Sequence, residues 1–231
     1  MKNIGILGGM SPESTIEYYN ILIEESKKKL EDKKIPEIII YNLNFQEFYN
    51  YMKNDEYEKA SKLLSNKINK LEKAGADFSL IASNTPHLLL DQIKQKTSLP
   101  IIDIVETTAL KAKKEDYNHL GLLGTRFTIK KDFYTKGLKQ KNLEVTTPRE
   151  EQIDYINKKI FNEFVQGKPP QKTLNRFQKI VKEMKKENQI DAIILGCTEL
   201  PLYLNEKNLK TPTLDTTTLH AKRAIKKAIK T

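Results

Sequence analysis

The 231-residue sequence has few of the residues that build stapled or metal-bound proteins: 1 Cys, 3 His and no Trp. A lone cysteine excludes an internal disulfide framework and is typical of a reducing compartment, so we expect a cytoplasmic protein. Because the histidines are scattered and there is only one thiol, no metal-ligand spacing is present and no metal is expected.

Long apolar runs are also missing. No stretch approaches the roughly 18–20 residues that a membrane-spanning helix needs. The first residues lead directly into a helix-start signal without a cleavage-like segment, so we expect neither a membrane partner nor a signal peptide. The composition, 38% hydrophobic and 30% charged with 9 Gly and 9 Pro, is that of a globular protein.

Positive charge is in excess, with a formal net charge of +10. The lysines lie in runs such as "ESKKKLEDKK" and "AKRAIKKAIK", where they alternate with acids or with apolar residues at helical spacing. That pattern is typical of solvated helix faces, and no RNA- or DNA-binding motif accompanies it. We therefore expect no nucleic-acid partner.

Short apolar segments alternate with periodic helical segments along the whole chain, which predicts an α/β fold with parallel sheets covered on both faces. The predicted strands are Asn3–Leu7, Glu37–Leu43, Asp77–Ala82, Leu99–Asp103, His119–Leu123, Glu144–Thr146, Asp191–Leu195 and Pro212–Leu214. The predicted helices include one capped by Ser11 that runs to about Lys33, and Asp55–Ala74, Val105–Lys114, Ile129–Lys139, Arg149–Phe164, Leu174–Glu187 and Asp215–Lys230.

The plan repeats itself in order. "GILGGMSPEST" matches "GLLGTRFTIKK", "DFSLIASNTPH" matches "DAIILGCTEL", and "LPIIDIVETTALKAKK" matches "TPTLDTTTLHAKRAIKK". Such an ordered set indicates an internal duplication. We expect two pseudo-symmetric lobes, residues 1–102 with 212–231 and residues 103–211, with an active site in the crevice between them.

The matched strand ends carry the candidate chemistry. Ligands of parallel α/β sheets bind beyond the carboxyl ends of the strands, and Ser83 and Cys197 both occupy that position. Pseudo-twofold lobes would place the two residues on opposite sides of a substrate atom. This arrangement suits a reaction in which a proton leaves one face of a carbon and returns to the other.

Together, "IGILGGMSPEST", "SNTPH", "LLGTRFT", "GCTEL" and "LDTTTLHA" resemble the cofactor-independent aspartate/glutamate racemase family over nearly the whole chain. The resemblance implies a four-stranded parallel sheet in each lobe, a C-terminal helix that returns to the first lobe, an amino-acid substrate, no cofactor and a homodimer. It also implies two acid/base groups at the α-carbon, which fall on Ser83 and Cys197.

The neighbouring residues predict the rest of the site. Backbone N–H groups of the "TEL" turn are expected to lower the pKa of the Cys197 thiol toward neutrality, as a base requires. Glu199 is a candidate for orienting the substrate ammonium or the thiol, and His87 is a candidate proton relay. Candidates for binding the α-carboxylate are Asn84, Thr85, Thr198, Met10, Ser11 and, in the second lobe, Thr125.

Two departures from the family pattern leave alternatives open. Many aspartate-specific members carry an arginine after the second strand, whereas residues 44–53 read "NFQEFYNYMK". Ser83 replaces a cysteine, and a hydroxyl is a weaker base than a thiolate. It is a natural hydroxyl variant that works best from one enantiomer, an engineered substitution that traps substrate, or the mark of a one-thiol relative of the arylmalonate decarboxylase type. A ligand-binding pseudoenzyme is a further alternative.

Overall fold

The computed structural model describes residues 1–31 and 34–229. The chain forms two compact units. Unit 1 comprises Met1–Ile104 together with the residues from His220 onward, and unit 2 is Val105–Leu219. Each unit contains a parallel sheet flanked by helices, so the predicted α/β class is confirmed.

Unit 1 contains a three-stranded parallel sheet in the order β2-β1-β3. The central strand is buried along its whole length because it is apolar and covered on both faces. Its strands are β1 (Ile4–Gly8), β2 (Ile38–Asn42) and β3 (Phe78–Ile81). Its helices are α1 (Pro12–Lys29), α2 (Phe45–Lys53), α3 (Tyr57–Lys73) and α4 (Leu90–Lys94), with a 3-10 helix at Thr85–Leu89.

Unit 2 contains a four-stranded parallel sheet in the order β5-β4-β6-β7. Its strands are β4 (His119–Leu123), β5 (Glu144–Thr146), β6 (Ala192–Leu195) and β7 (Thr213–Asp215). Its helices are α5 (Ile104–Lys114), α6 (Arg126–Lys130), α7 (Phe133–Lys139), α8 (Glu150–Lys159) with a π turn at Ile160–Phe164, α9 (Gln171–Asn188) and α10 (Glu206–Leu209). The last helix, α11 (Thr216–Ile229), begins in unit 2 and belongs to unit 1 from His220 onward.

An aspartate at the start of β3 and another at the start of β6 tie these strands to their neighbours. Asp77 Oδ2 accepts a 2.6 Å hydrogen bond from the backbone N–H of Asn3. In the second sheet, Asp191 Oδ2 accepts from the N–H groups of Asn118 and His119 at 2.8 and 2.9 Å. The two carboxylates therefore fix the alignment of β3 with β1 and of β6 with β4 at the amino ends of the strands.

Three predicted elements are corrected. The strand at Leu99–Asp103 is reduced to one bridge between Ser79 and Ile101, so unit 1 lacks the fourth strand that the family resemblance implied. The predicted helix Ile129–Lys139 is two helices, because Asp132 has φ 55° between them. Residues 45–53, where no helix is predicted, form α2, which Asn44 caps.

The bounds predicted for the first and last helices differ from those in the structure or fall outside the described residues. Leu30 has an extended backbone and ends α1, while Lys33 lies outside the described residues. The closing helix begins at Thr216 and is described to Ile229, and Lys230 lies outside the described residues. In the described part of the chain, no helix combines the length and apolar character needed to cross a membrane.

Candidate active site

The carboxyl ends of β1 and β3 form one edge of the unit 1 sheet. Leu7 pairs with Ile81, and the N–H of Ala82 donates to the Leu7 carbonyl at 2.9 Å. The turns that follow the two strands are therefore neighbours along this edge. These turns carry the predicted residues Met10, Ser11, Ser83, Asn84, Thr85 and His87.

The first turn depends on glycine. Gly9 has φ 86°, and a Cβ there would lie 2.4 Å from the Leu43 carbonyl oxygen. The Gly9 N–H donates to Thr15 Oγ1 at 2.9 Å, so it is not available to a substrate. The N–H groups of Met10 and Ser11 make no hydrogen bond to the described residues and are the donors that remain for a carboxylate.

Ser11 is the N-cap of α1, as predicted. Its Oγ accepts from the N–H of Ser14 at 3.1 Å, and Pro12 occupies the first helical position. The same hydroxyl donates to Glu13 Oε2 at 3.1 Å. The Ser11 side chain therefore stabilises the helix end, which leaves its backbone N–H for a ligand.

The second turn holds Ser83. Its N–H donates to the Ile81 carbonyl at 2.8 Å, and its half-buried hydroxyl makes no hydrogen bond to the described residues. Asn84 follows and is buried. The Thr85-Pro86 pair predicts a helix capped by Thr85, and this prediction is wrong. Thr85 is the first residue of the 3-10 helix, and Asn84 occupies the N-cap position with no capping hydrogen bond from its side chain.

His87 lies behind the Ser83 turn. Its Nδ1 is 3.0 Å from the Ser83 carbonyl oxygen, and its buried Nε2 has no hydrogen-bond partner among the described residues. Burial lowers the pKa of His87, and Asp103 and nearby backbone carbonyls oppose that shift. A neutral imidazole in this position donates through Nδ1 and keeps a lone pair at Nε2.

The corresponding edge of unit 2 is formed by β4 and β6, where Leu123 pairs with Leu195. It carries Thr125 after β4 and Cys197, Thr198 and Glu199 after β6. Thr125 caps α6, accepting from the N–H of Thr128 through its hydroxyl at 3.3 Å. Thr125 therefore has the same local role as Ser11 in unit 1.

Cys197 and Glu199 form a buried thiol–carboxylate pair, with 8% of each residue exposed. The thiol donates to Glu199 Oε2 at 2.9 Å, and the Thr198 hydroxyl donates to the same oxygen at 2.9 Å. The N–H of Leu200 donates to the Cys197 carbonyl at 3.2 Å, which closes the predicted "TEL" turn. The segment is a single turn and not a helix.

The expected low pKa of Cys197 is wrong. Burial raises the pKa of the thiol well above its ordinary value, and the Glu199 carboxylate raises it further. The backbone N–H groups of Glu199 and Thr198 lower it by less. In the free protein the thiol is therefore protonated and acts as a hydrogen-bond donor.

Sequence reasoning missed two buried residues of unit 1, Tyr18 and His220, which connect to His87 behind the Ser83 turn. His220 Nδ1 is 2.9 Å from the Tyr18 hydroxyl, and the His220 ring packs edge-on against His87 with centroids 5.6 Å apart. His220 lies inside the quoted "LDTTTLHA" segment, which was the available signal. In residues 1–31 and 34–229, no three His, Cys, Asp or Glu side chains group as metal ligands would.

Comparison with known proteins agrees with this architecture. The family model for Asp/Glu/hydantoin racemases matches residues 7–224. The broad specificity amino-acid racemase RacX of Bacillus subtilis (strain 168) is 29% identical over 225 residues, which cover 96% of each chain.

Solved structures show the same fold over nearly the full length. An aspartate racemase homologue from Pyrococcus horikoshii OT3 is 36% identical with a TM-score of 0.89, and 99% of each chain is covered. The aspartate racemase of Picrophilus torridus is 25% identical with a TM-score of 0.79, covering 99% of this chain and 94% of the other.

Proposed function

The chain belongs to the Asp/Glu/hydantoin racemase family, and we propose that it is an amino-acid racemase that inverts the α-carbon without a cofactor. Cys197 and the Ser83 side supply the two acid/base positions. The observation that carries the proposal is the buried 2.9 Å contact from the Cys197 thiol to the Glu199 carboxylate at the carboxyl end of β6. This contact gives the thiol proton an acceptor.

The raised thiol pKa sets the order of events. The thiol proton passes to Glu199 along the existing hydrogen bond, and the substrate ammonium stabilises the resulting anionic pair. The Cys197 thiolate then takes the α-proton, and the electron pair of the C–H bond moves into the α-carboxylate. A proton delivered from the Ser83 side completes the inversion, because donating a proton is easier for a hydroxyl than accepting one.

The proposed substrate is a free amino acid, with aspartate or glutamate first. Its α-carboxylate is held by backbone donors of the first turn and by side-chain donors of the strand ends. These candidates are Met10, Ser11, Asn84, Thr85, Thr125 and Thr198. The α2 segment contains no arginine, so an acidic side chain must find another partner.

A second candidate function is supported by the same pKa. A thiol that stays protonated is what a one-thiol enzyme of the arylmalonate decarboxylase type needs in order to protonate an enolate. Such an enzyme requires no base at Ser83. It would release carbon dioxide from a disubstituted malonate and would not exchange the α-proton of an amino acid.

Deuterium uptake tests the proposal. Each enantiomer of the common amino acids is incubated with the protein in D₂O, and α-deuteration is followed by NMR. We expect uptake into at least one acidic amino acid, abolished in Cys197→Ala. A protein that binds these amino acids without deuterating any of them is a pseudoenzyme, and decarboxylation of an arylmalonate identifies the second candidate.

The proposal also requires that turnover need neither a metal ion nor a cofactor. We expect activity to survive exhaustive chelation and treatment with hydroxylamine, because the proposed chemistry uses only a thiol, a carboxylate and a hydroxyl. Loss of turnover with hydroxylamine, followed by recovery with pyridoxal phosphate, would contradict the proposal.

We further propose a homodimer formed through unit 1. A groove beside α1 is lined in part by Tyr19 and Ile35, which are 42% and 36% exposed. It is lined by Glu17, Tyr19, Ile23, Glu24, Lys27 and Ile35. Because the rim carries both charge signs, a second copy related by a twofold axis can oppose acids to lysines. Sedimentation equilibrium should show a dimer that Ile35→Lys dissociates and Leu110→Lys, an exposed control in α5, does not.

A further inference from the structure

A series of buried contacts lies behind the Ser83 turn, and the proposed reaction assigns it no role. Its members are Tyr18 of α1, His220 of α11 and His87 of the 3-10 helix, all within unit 1. Tyr18 and His220 are 0% exposed and His87 is 5% exposed. Polar side chains buried this deeply need a reason, because each loses its hydration on folding.

The hydrogen bonds of His220 fix its tautomer and its orientation. Nε2 is 2.9 Å from the carbonyl oxygen of Ile102, which can only accept, so Nε2 carries the proton. Nδ1 is then an acceptor, and the Tyr18 hydroxyl donates to it at 2.9 Å. His220 is therefore a neutral ring held at both nitrogens.

The hydrogen bond of His87 fixes its tautomer by the same reasoning. Nδ1 is 3.0 Å from the Ser83 carbonyl oxygen and must donate to it. Its Nε2 has no hydrogen bond to the described residues, so no hydrogen bond there orients the ring. The edge-on contact with His220, with an interplanar angle of 72°, supplies that restraint.

We propose that Tyr18 and His220 are positioning residues for the Ser83 turn and act through His87. The inference rests on the proposed racemase function, in which the Ser83 side returns the proton. Tyr18 holds His220, His220 restrains the His87 ring, and His87 holds the Ser83 carbonyl. Removing the Tyr18 hydroxyl frees His220 Nδ1 and loosens each later contact.

Deuterium exchange and inversion respond differently to such a change. Exchange with retention needs only Cys197, which removes the α-proton and returns deuterium to the same face. Inversion also needs delivery from the Ser83 side. Tyr18→Phe should therefore reduce inversion by about tenfold to a hundredfold, as misplacement of a reacting group does, while retention exchange from the enantiomer that Cys197 deprotonates persists.

Tyr134→Phe is the matched control, because Tyr134 is also 0% exposed but belongs to unit 2. We expect Tyr134→Phe to leave the ratio of exchange to inversion unchanged. The proposal is overturned if Tyr18→Phe lowers exchange and inversion by the same factor, or if Tyr134→Phe changes the ratio equally.

An NMR measurement tests the contacts even if the protein is not a racemase. The chain has 3 histidines, so ¹⁵N-histidine labelling gives few ring signals. Tyr18→Phe should shift the ring nitrogens of both His220 and His87 and leave those of His119 in β4 unchanged. A His87 signal that stays at its wild-type position in Tyr18→Phe overturns the inference, whereas an absence of exchange in the wild type overturns only the racemase proposal.

Discussion

The carboxyl edges of the two sheets share a backbone plan and differ in their chemistry. In unit 2 the turn after β6 holds a thiol that donates to a buried carboxylate at 2.9 Å. In unit 1 the turn after β3 holds the half-buried hydroxyl of Ser83, whose carbonyl oxygen is 3.0 Å from His87 Nδ1. The two edges therefore share a frame, and the side chains proposed to react differ between them.

The shared frame is visible in matched backbone contacts. The N–H of Ser79 donates to the Pro100 carbonyl and the N–H of Ile193 to the Pro212 carbonyl, both at 2.8 Å. A glycine turn with a hydroxyl cap follows β1 and β4 alike. Because the frames match, a substitution at one strand end can be judged against its counterpart at the other.

The largest effect is expected from removing the thiol side. Cys197→Ala should lower α-proton exchange by at least the factor of about 10²–10⁴ typical of a general acid/base group, because the Ser83 side supplies no comparable base. Exchange is measured by NMR in D₂O, with Thr211→Ala as a control, since Thr211 is a buried residue of unit 2 outside the site. Wild-type exchange in Cys197→Ala would remove the thiol from the mechanism.

Adding a thiol to the weaker side is the reverse experiment. The resemblance to hydroxyl-bearing variants predicts that one enantiomer, the L form, is processed faster. Ser83→Cys should raise the kcat of the slow direction by about tenfold or more, since a thiol ionises far more readily than a hydroxyl. The equilibrium between enantiomers cannot shift, so any asymmetry between the two directions must appear in kcat and KM together.

Ser79→Cys is the control for the added thiol. Ser79 lies in β3, is 0% exposed and has no hydrogen bond from its hydroxyl to the described residues. It therefore gains a thiol on the same strand away from the turn. Equal initial rates from the two enantiomers in the wild type, unchanged by Ser83→Cys, would show that Ser83 takes no part in the reaction.

Glu199 places a carboxylate two residues after Cys197, whereas Thr85 occupies the matching position after Ser83. Because Glu199 raises the pKa of Cys197, Glu199→Gln should lower the pH midpoint for iodoacetamide alkylation of this single cysteine. Glu163→Gln is the control, since Glu163 pairs with Lys159 elsewhere in unit 2. An unchanged midpoint in Glu199→Gln would leave burial as the sole cause of the raised pKa.

The smallest effect concerns the histidines of unit 1. Burial lowers the pKa of His220 from 6.5 to about 3, so between these values the unfolded chain binds more protons than the folded one. The contribution of His220 to stability is present above pH 6.5 and is lost progressively as the pH falls toward 3, with a loss of about 1 kcal/mol at pH 5.5. Denaturant titrations should show a flatter pH dependence in His220→Gln than in wild type or His119→Gln.

Much of the fold could be predicted because the strands are continuous apolar runs between clear turn signals. β1, β3, β4 and β6 appeared within about one residue of their predicted bounds. The helix α2 was missed because its aromatic-rich sequence follows β2 without a proline or a glycine to mark a boundary. The prediction of a fourth strand in unit 1 was wrong because the sequence cannot show that the pairing stops after one bridge.

The repeated motifs in the sequence identified the candidate site residues, but they could not predict the pKa of Cys197. Sequence reasoning counted the N–H groups near Cys197, yet burial and a neighbouring carboxylate outweigh them, and both depend on the packed turn. Tyr18 and His220 lie 202 positions apart, so no local pattern could connect them. Such long-range polar contacts are the part of a site that needs three-dimensional structure.

The aspartates at the amino ends of β3 and β6 affect how precisely the residues at the carboxyl ends of these strands are positioned. A strand advances about 3.3 Å per residue, and a slip of one residue turns every side chain to the opposite face. Because Asp77 fixes the start of β3 against Asn3, it also fixes the register that places Ser83 at the other end of β3. A carboxylate at the amino end of the sheet therefore helps to position the residue proposed to react at the carboxyl end.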